Sequence, residues 1–219
     1  MKACGARFRR LRNGSRDRRY LTIHGDESTA RDVLTAHMRQ TSGTAYVIQN
    51  NLRTLRAPNG LEYDPNRMFT TEGLSANLVT LNPKASEAAR AEVVSFIERD
   101  RNRLMRSLLP PRNDVLIVLH NNARGYSVKD ELELSDKVSL VLPNQPNEFM
   151  LCTNPEDFER LRTGPHNVVL QQHPKGKEDG SLSRLAARQG IRYVNIEAFL
   201  GREAEQRAML AWVEQRLSK

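Results

Sequence analysis

The run DVLIVLH at Asp114–His120 constrains the chain more than any other stretch. It is continuously apolar up to its closing histidine, with no polar alternation. A strand of that kind is covered on both faces, as the central parallel strands of layered α/β proteins are. Such a strand needs neighbours. Tyr20–His24, Ala45–Gln49, Val138–Leu142, Phe149–Thr153, Asn167–Gln171 and Arg192–Glu197 read as further strands. Helical spacing of apolar residues predicts helices over Ser28–Gln40, Ser86–Leu108, Leu182–Arg188 and Gly201–Leu217, and Asn154 opens a shorter one. Ser28 or Thr29 is the expected cap of the first helix. Asn51–Tyr63 reads as a hairpin around Pro58-Asn59-Gly60, and DPNRMFTTEG after it is too polar and Pro-broken for regular structure. Strands alternating with helices predict an α/β, three-layer sandwich with a mixed, largely parallel central sheet.

Charge looks at first like a nucleic-acid signal: the net value is +8 over 219 residues. Residues 1–20 carry Lys2 and seven arginines against Asp17 alone, which is +7 of the total. The body is close to neutral, which argues against nucleic acid as its partner. Residues 1–19 read as a basic, flexible arm, and residues 20–219 as a single domain. The arm lacks the apolar stretch of an intact secretory signal. No run reaches the length of a membrane span. Cys4 and Cys152 form no CxxC and read as free thiols, which fits a reducing, cytoplasmic setting. Neither GxGxxG, a Walker loop nor a GxSxG elbow occurs, so those nucleotide sites and serine nucleophiles are disfavoured.

Sites in α/β sheets lie beyond the carboxyl ends of strands. Three strand ends carry suitable residues: His24 with Glu27 in HGDE, His120, and Glu197. Two imidazoles and one carboxylate suit catalytic zinc, which acidifies a water and polarises a carbonyl. A second carboxylate then serves as proton acceptor and donor, and an arginine as oxyanion partner or carboxylate grip. Each piece also has an ordinary reading. A lone HxxE is common, a strand-end histidine is more often simply hydrogen-bonded, Glu197 suits a helix start, and Arg67 suits a surface ion pair. His37 on an apolar helix face, and His166 and His173 in polar loops, read as structural.

The order of these motifs resembles that of the zinc carboxypeptidases, and especially their shorter aspartoacylase and succinylglutamate desuccinylase branch. In that branch an HGxE motif closes the first strand, as HGDE does at His24–Glu27. A D-L-N-R-x-F motif follows, matched by DPNRMF at Asp64–Phe69 with Pro65 in place of leucine. The resemblance spans residues 20–205 and implies a zinc carboxypeptidase-like fold with one Zn2+ per chain, held by His24, Glu27 and His120. It implies Glu197 as general base and acid, and Asn66 with Arg67 as the grip on a substrate carboxylate. Arg53 and Arg56 both qualify as the oxyanion arginine. Arg53 is preferred because it follows QNN, and Arg56 stays among the substrate-binding residues, with Tyr126 closing over the substrate. Asp179 and Ser181 of DGSLS are expected in a pocket wall. The implied substrate is a small peptide or an N-acyl amino acid, cleaved at an amide next to a free carboxylate. The competing reading is a non-catalytic binding module of the same fold, its basic arm contacting an anionic partner.

Overall fold

A computed structural model describes residues 1–15, 17–111, 114–123 and 125–217. Its strands are β1 (Lys2–Ala3), β2 (Ala6–Asn13), β3 (Arg19–Thr22), β4 (Gly43–Ile48), β5 (Leu55–Arg56), β6 (Glu62–Tyr63), β7 (Leu116–Asn122), β8 (Lys137–Ser139), β9 (Phe149–Cys152), β10 (Asn167–Leu170) and β11 (Tyr193–Phe199). Its helices are α1 (Ser28–His37), α2 (Thr71–Leu81), α3 (Glu87–Leu108), α4 (Val128–Glu131), α5 (Pro155–Leu161), α6 (Leu182–Arg188) and α7 (Glu203–Arg216). Nine strands form one sheet in the order β1-β2-β4-β3-β7-β11-β9-β10-β8, and β5 pairs with β6 as a separate hairpin. The central block β4-β3-β7-β11 is parallel, as is the pair β9-β10; β2 pairs antiparallel with both β1 and β4, β9 with β11, and β8 with β10. The sheet is therefore mixed, with its parallel part where DVLIVLH falls.

Period two along β7 divides the core. Leu116 and Val118 join the cluster under α2, α3 and α6, whereas Val115, Ile117 and Leu119 join the cluster under α1, α5 and α7. Both faces are covered, which is why the run has no polar residue until it emerges at His120. The same alternation on β11 sends Val194, Ile196 and Ala198 to the second layer and Tyr193 to the first. Asn195 and Glu197 thus share the face of Tyr193, and His120 shares the face of Val118.

Three local expectations need correction. Residues 1–19 are not an arm. Ala6 and Phe8 are buried in the core, and β2 pairs with β4 from Phe8↔Ile48 to Asn13↔Gly43. Arginines hide the pattern: Arg7 and Arg9 alternate with Ala6 and Phe8, while Arg10 and Arg12 take the inward parity and are exposed. Past the two residues of β1, β2 is a sheet edge, and charge there discourages pairing with other chains. Arg18 is fully buried. Second, neither Ser28 nor Thr29 caps α1: Glu27 takes that position without a capping hydrogen bond, because its carboxylate points at the histidines. Third, the irregular stretch expected to run to Gly73 ends earlier. Pro65–Arg67 is a single 3-10 turn capped by Asp64, and α2 starts at Thr71, capped by the Thr70 hydroxyl. Gly73 explains the entry into α2: a Cβ there would lie 2.0 Å from the Gly180 nitrogen. That contact holds α2 against the loop before α6.

Candidate metal and substrate site

His24 follows β3, and His120 and Glu197 lie two residues before the ends of β7 and β11, its successive neighbours in the parallel block. The register places Glu197 directly opposite His120. From β3 the chain continues through α1 to β4 on one side, while β7 lies on the other, so the residues sit at a switch in strand order. Gly25 lets the chain turn there: a Cβ would lie 2.5 Å from the Asn50 carbonyl oxygen. The turn returns Glu27 to His24.

The resulting cluster is tight and buried. His24 Nδ1 lies 2.7 Å from Glu27 Oε1, and His120 Nδ1 lies 3.0 Å from Glu27 Oε2. The two Nδ1 atoms are 3.3 Å apart. The ligating atoms of all three side chains lie within 4.8 Å of one another. On its far side, His24 Nε2 meets Asp64 Oδ1 at 2.8 Å. That carboxylate holds the proton on Nε2 and leaves the Nδ1 lone pair facing inward. Burial by itself lowers the His24 pKa, but the Glu27 and Asp64 carboxylates override it and push the metal-free imidazole up to about 9. Burial raises Asp64, yet His24 and Arg53 bring it down to about 2. Glu27 is held well below the usual carboxylate range, its burial outweighed by His120 and His24. A cation that displaces the proton between His24 Nδ1 and Glu27 meets two inward-facing ring nitrogens and an ionised carboxylate, a donor set that suits zinc. The residues therefore fit the metal that the sequence implies.

A cavity of about 350 Å³ opens beside this cluster. His24, Glu27, Arg53, Asn66, Arg67, His120, Tyr126 and Glu197 all line it. Arg53 reaches Glu27 at 3.2 Å and Asp64 at 3.6 Å, with its side chain 37% exposed. Arg67 bonds Asp179 at 2.9 Å, and Asn66 accepts a bond from the Leu182 amide. Asp179 and Ser181 also line the wall. Glu197 accepts from Asn195 at 3.0 Å and from Asn122 at 3.4 Å. Burial, with help from the Glu27 charge, raises its pKa against the pull of His120. Its partners are neutral amides, so it can exchange a proton without breaking an ion pair. Tyr126 packs on Phe149 with ring centroids 5.7 Å apart and donates its hydroxyl to Glu131.

Arg56 is not brought to the cavity. Leu55 turns inward on the two-residue strand β5, so Arg56 turns outward, 73% exposed and paired with Glu62 at 2.8 Å. Of the two arginines, Arg53 lines the cavity and Arg56 does not. His37 sits edge-on to Tyr20, His166 against Trp212, and His173 is exposed beside Asp136, all away from the cluster. Sequence reasoning gave no role to Asp64, although it is the first residue of the DPNRMF motif. Glu131, Gln171, Arg184 and Asn195 were also missed. Only Asn195 carried a signal, as a polar residue with Glu197's strand parity.

No protein-family model matches the chain. No curated protein matches it either. Among solved structures, the chain is similar to the apo ectoine utilization protein EutE (DoeB) from Ruegeria pomeroyi, at 16% identity and a TM-score of 0.48 over 94% of this chain. It is similar to a succinylglutamate desuccinylase/aspartoacylase from Rhodobacter sphaeroides, at 17% identity and a TM-score of 0.47 over 95% of this chain. A third is the murein-tripeptide amidase MpaA from Escherichia coli O157, at 13% identity and a TM-score of 0.45, covering 94% of this chain and 83% of that one. The chain spans 59% of the first of these structures and 57% of the second.

Proposed function

We propose that this protein is a zinc-dependent hydrolase that cleaves an amide bond next to a free carboxylate, in a small peptide or an N-acyl amino acid. The observation that carries the reading is the convergence of His24, Glu27 and His120 beside a cavity, with Glu197 in register on the next strand. The match of HGDE and DPNRMF to the zinc carboxypeptidase pattern supports it.

His24 and His120 through Nδ1, and Glu27 through its carboxylate, hold the metal. Zinc bound there supplies a Lewis acid and lowers the pKa of water towards neutrality. Glu197 takes the proton of the attacking water and passes it to the leaving amine. A buried carboxyl with a raised pKa suits both halves of that task. Arg53, between Glu27 and Asp64 at the cavity edge, is the fixed cation for the developing oxyanion. Arg67 and Asn66 grip the substrate carboxylate, Arg67 exchanging its ion pair with Asp179 for the substrate. Asp64 keeps His24 in the ligating tautomer.

The test is Glu197→Gln assayed on a panel of N-acyl amino acids and short peptides. The variant is expected to retain zinc and lose turnover. Undiminished turnover would overturn Glu197 as the base.

A further inference from the structure

The cavity continues past Glu197 to a group that the hydrolysis does not use. Glu131 closes α4, and its side chain is buried at 8% exposure while lining the same cavity as the metal cluster. Its two oxygens have different neutral partners: the Tyr126 hydroxyl donates to Oε1 and the Gln171 amide to Oε2. Among the described residues it has no ion-pair partner. Of the other acids in the wall, Asp26 also has no ion-pair partner among the described residues, but it is only half-buried and lies at the metal end, next to Glu27. Asp179 faces Arg67 and Arg184, Glu27 faces two histidines and Arg53, and Glu197 is the proton carrier. A carboxylate held away from water by two neutral donors still has a free lone pair on each oxygen and lacks a countercharge.

The place is built. Ser127 and Asp130 form a capping box that fixes the turn carrying Glu131. Tyr126 is braced on Phe149. Gln171 follows β10, two strands beyond β11, which puts this end of the cavity roughly 10 Å across the sheet from Glu197 at the usual strand spacing. A substrate with its scissile amide at Glu197 reaches that point only through a long side chain.

We propose that Glu131 is a specificity residue that receives the cationic end of a lysine- or arginine-type side chain, so that the substrate residue bearing the free carboxylate is basic. The assignment rests on the proposed hydrolytic reading. Arg67 and Asn66 hold the carboxylate, Glu131 takes the far cation, and the aliphatic stem runs past Leu134 and Leu151, which line the cavity between polar groups. The competing role for Glu131 is structural, as an anchor for Tyr126 alone.

The test is calorimetric binding of L-lysine, L-arginine and L-norleucine to the full chain, metal-free and zinc-loaded, for wild type and Glu131→Gln, with Tm measured for both. Lysine or arginine is expected to bind about 10- to 100-fold more tightly than norleucine, the range of a charged hydrogen bond. The Lys/Arg ranking shows whether ammonium or guanidinium is preferred. In Glu131→Gln the advantage should fall below twofold with Tm unchanged or raised, since a buried charge has been removed. Equal binding of the three amino acids, no binding of any, or a preference that survives Glu131→Gln would overturn the assignment. Metal content of the same samples separates the two readings. Zinc bound without a cation preference sinks Glu131 alone, and a cation preference without zinc sinks the hydrolase reading alone.

Discussion

The buried charged cluster around Arg18 and the one at the strand ends differ in whether metal-ligating atoms meet beside a cavity. Near the end of α7, Arg18 is fully buried, with Nη1 2.6 Å from Glu214, Nη2 bonded to the Leu217 carbonyl and Nε 3.5 Å from Asp114. The Tyr20 hydroxyl donates to Glu214 at 2.6 Å. There the guanidinium faces two carboxylates and a carbonyl of the chain itself, so its charge is met from within. At the strand ends, His24, Glu27 and His120 turn three lone-pair-bearing atoms on one another, and a cavity lies alongside. Without a metal the protonated His24 ring bridges Glu27 and Asp64, and a cation from outside can take the place of the proton on Nδ1. Burial of charge is common to both clusters. What separates a fastening from a site is that, of the two, only the strand-end cluster gathers metal-ligating atoms beside a cavity.

The sharpest break in the comparison comes from Glu197→Gln, expected to cut turnover by about 10²- to 10⁴-fold, the contribution of a positioned general base. Stability by thermal melting should not fall. Arg18→Met is the mirror case. It strands Glu214 without its guanidinium and should cost about 3–5 kcal/mol in denaturant unfolding, with turnover per folded molecule unchanged. Loss of turnover without loss of stability would mean that the two clusters are coupled. Arg53→Ala should lower kcat by about tenfold or more, short of the full value of an oxyanion donor because its side chain is partly exposed.

Acid separates the clusters further. Glu214 is held below its ordinary pKa: burial pushes it up, but His37, Arg18 and Tyr20 outweigh that. A carboxyl depressed in the folded state contributes stability that is fully present above its unfolded pKa and is lost as pH falls through the folded value. Glu197 is shifted upward by burial in the metal-free chain, and its neutral amide partners, unlike the cations around Glu214, do not outweigh that. On acidification kcat/KM should therefore fall before Tm does. Coincident curves would refute the contrast. The smallest effect belongs to Arg56→Ala, expected within about 0.5 kcal/mol in stability and twofold in kcat/KM, as for other exposed ion pairs.

Much of the site is legible in sequence because strand ends are. DVLIVLH announces a strand covered on both faces, so its terminal histidine must emerge at a sheet end, and HGDE and RYVNIE do the same for the neighbouring strands. Arg53 and Arg56 were indistinguishable by residue type, and the parity of β5 separates them. The basic segment misled because β2 hides Ala6 and Phe8 among arginines, where charge density suggests solvent. The helix α2 was missed because its glycine and threonines read as a loop. Gly73 is there for the close approach to Gly180, a tertiary reason that no local pattern carries. Glu131 and Gln171 are distant in sequence and meet only through the sheet order.

The central claim is that the strand-end cluster holds a metal, whereas the Arg18 cluster is a fastening. Metal content by mass spectrometry on purified wild type, His24→Ala and His120→Ala tests it most directly. About one zinc per wild-type chain, absent from both variants while Tm shows them folded, is the predicted result. No metal in wild type even after zinc is added back would contradict the account and leave HGDE as a polar turn.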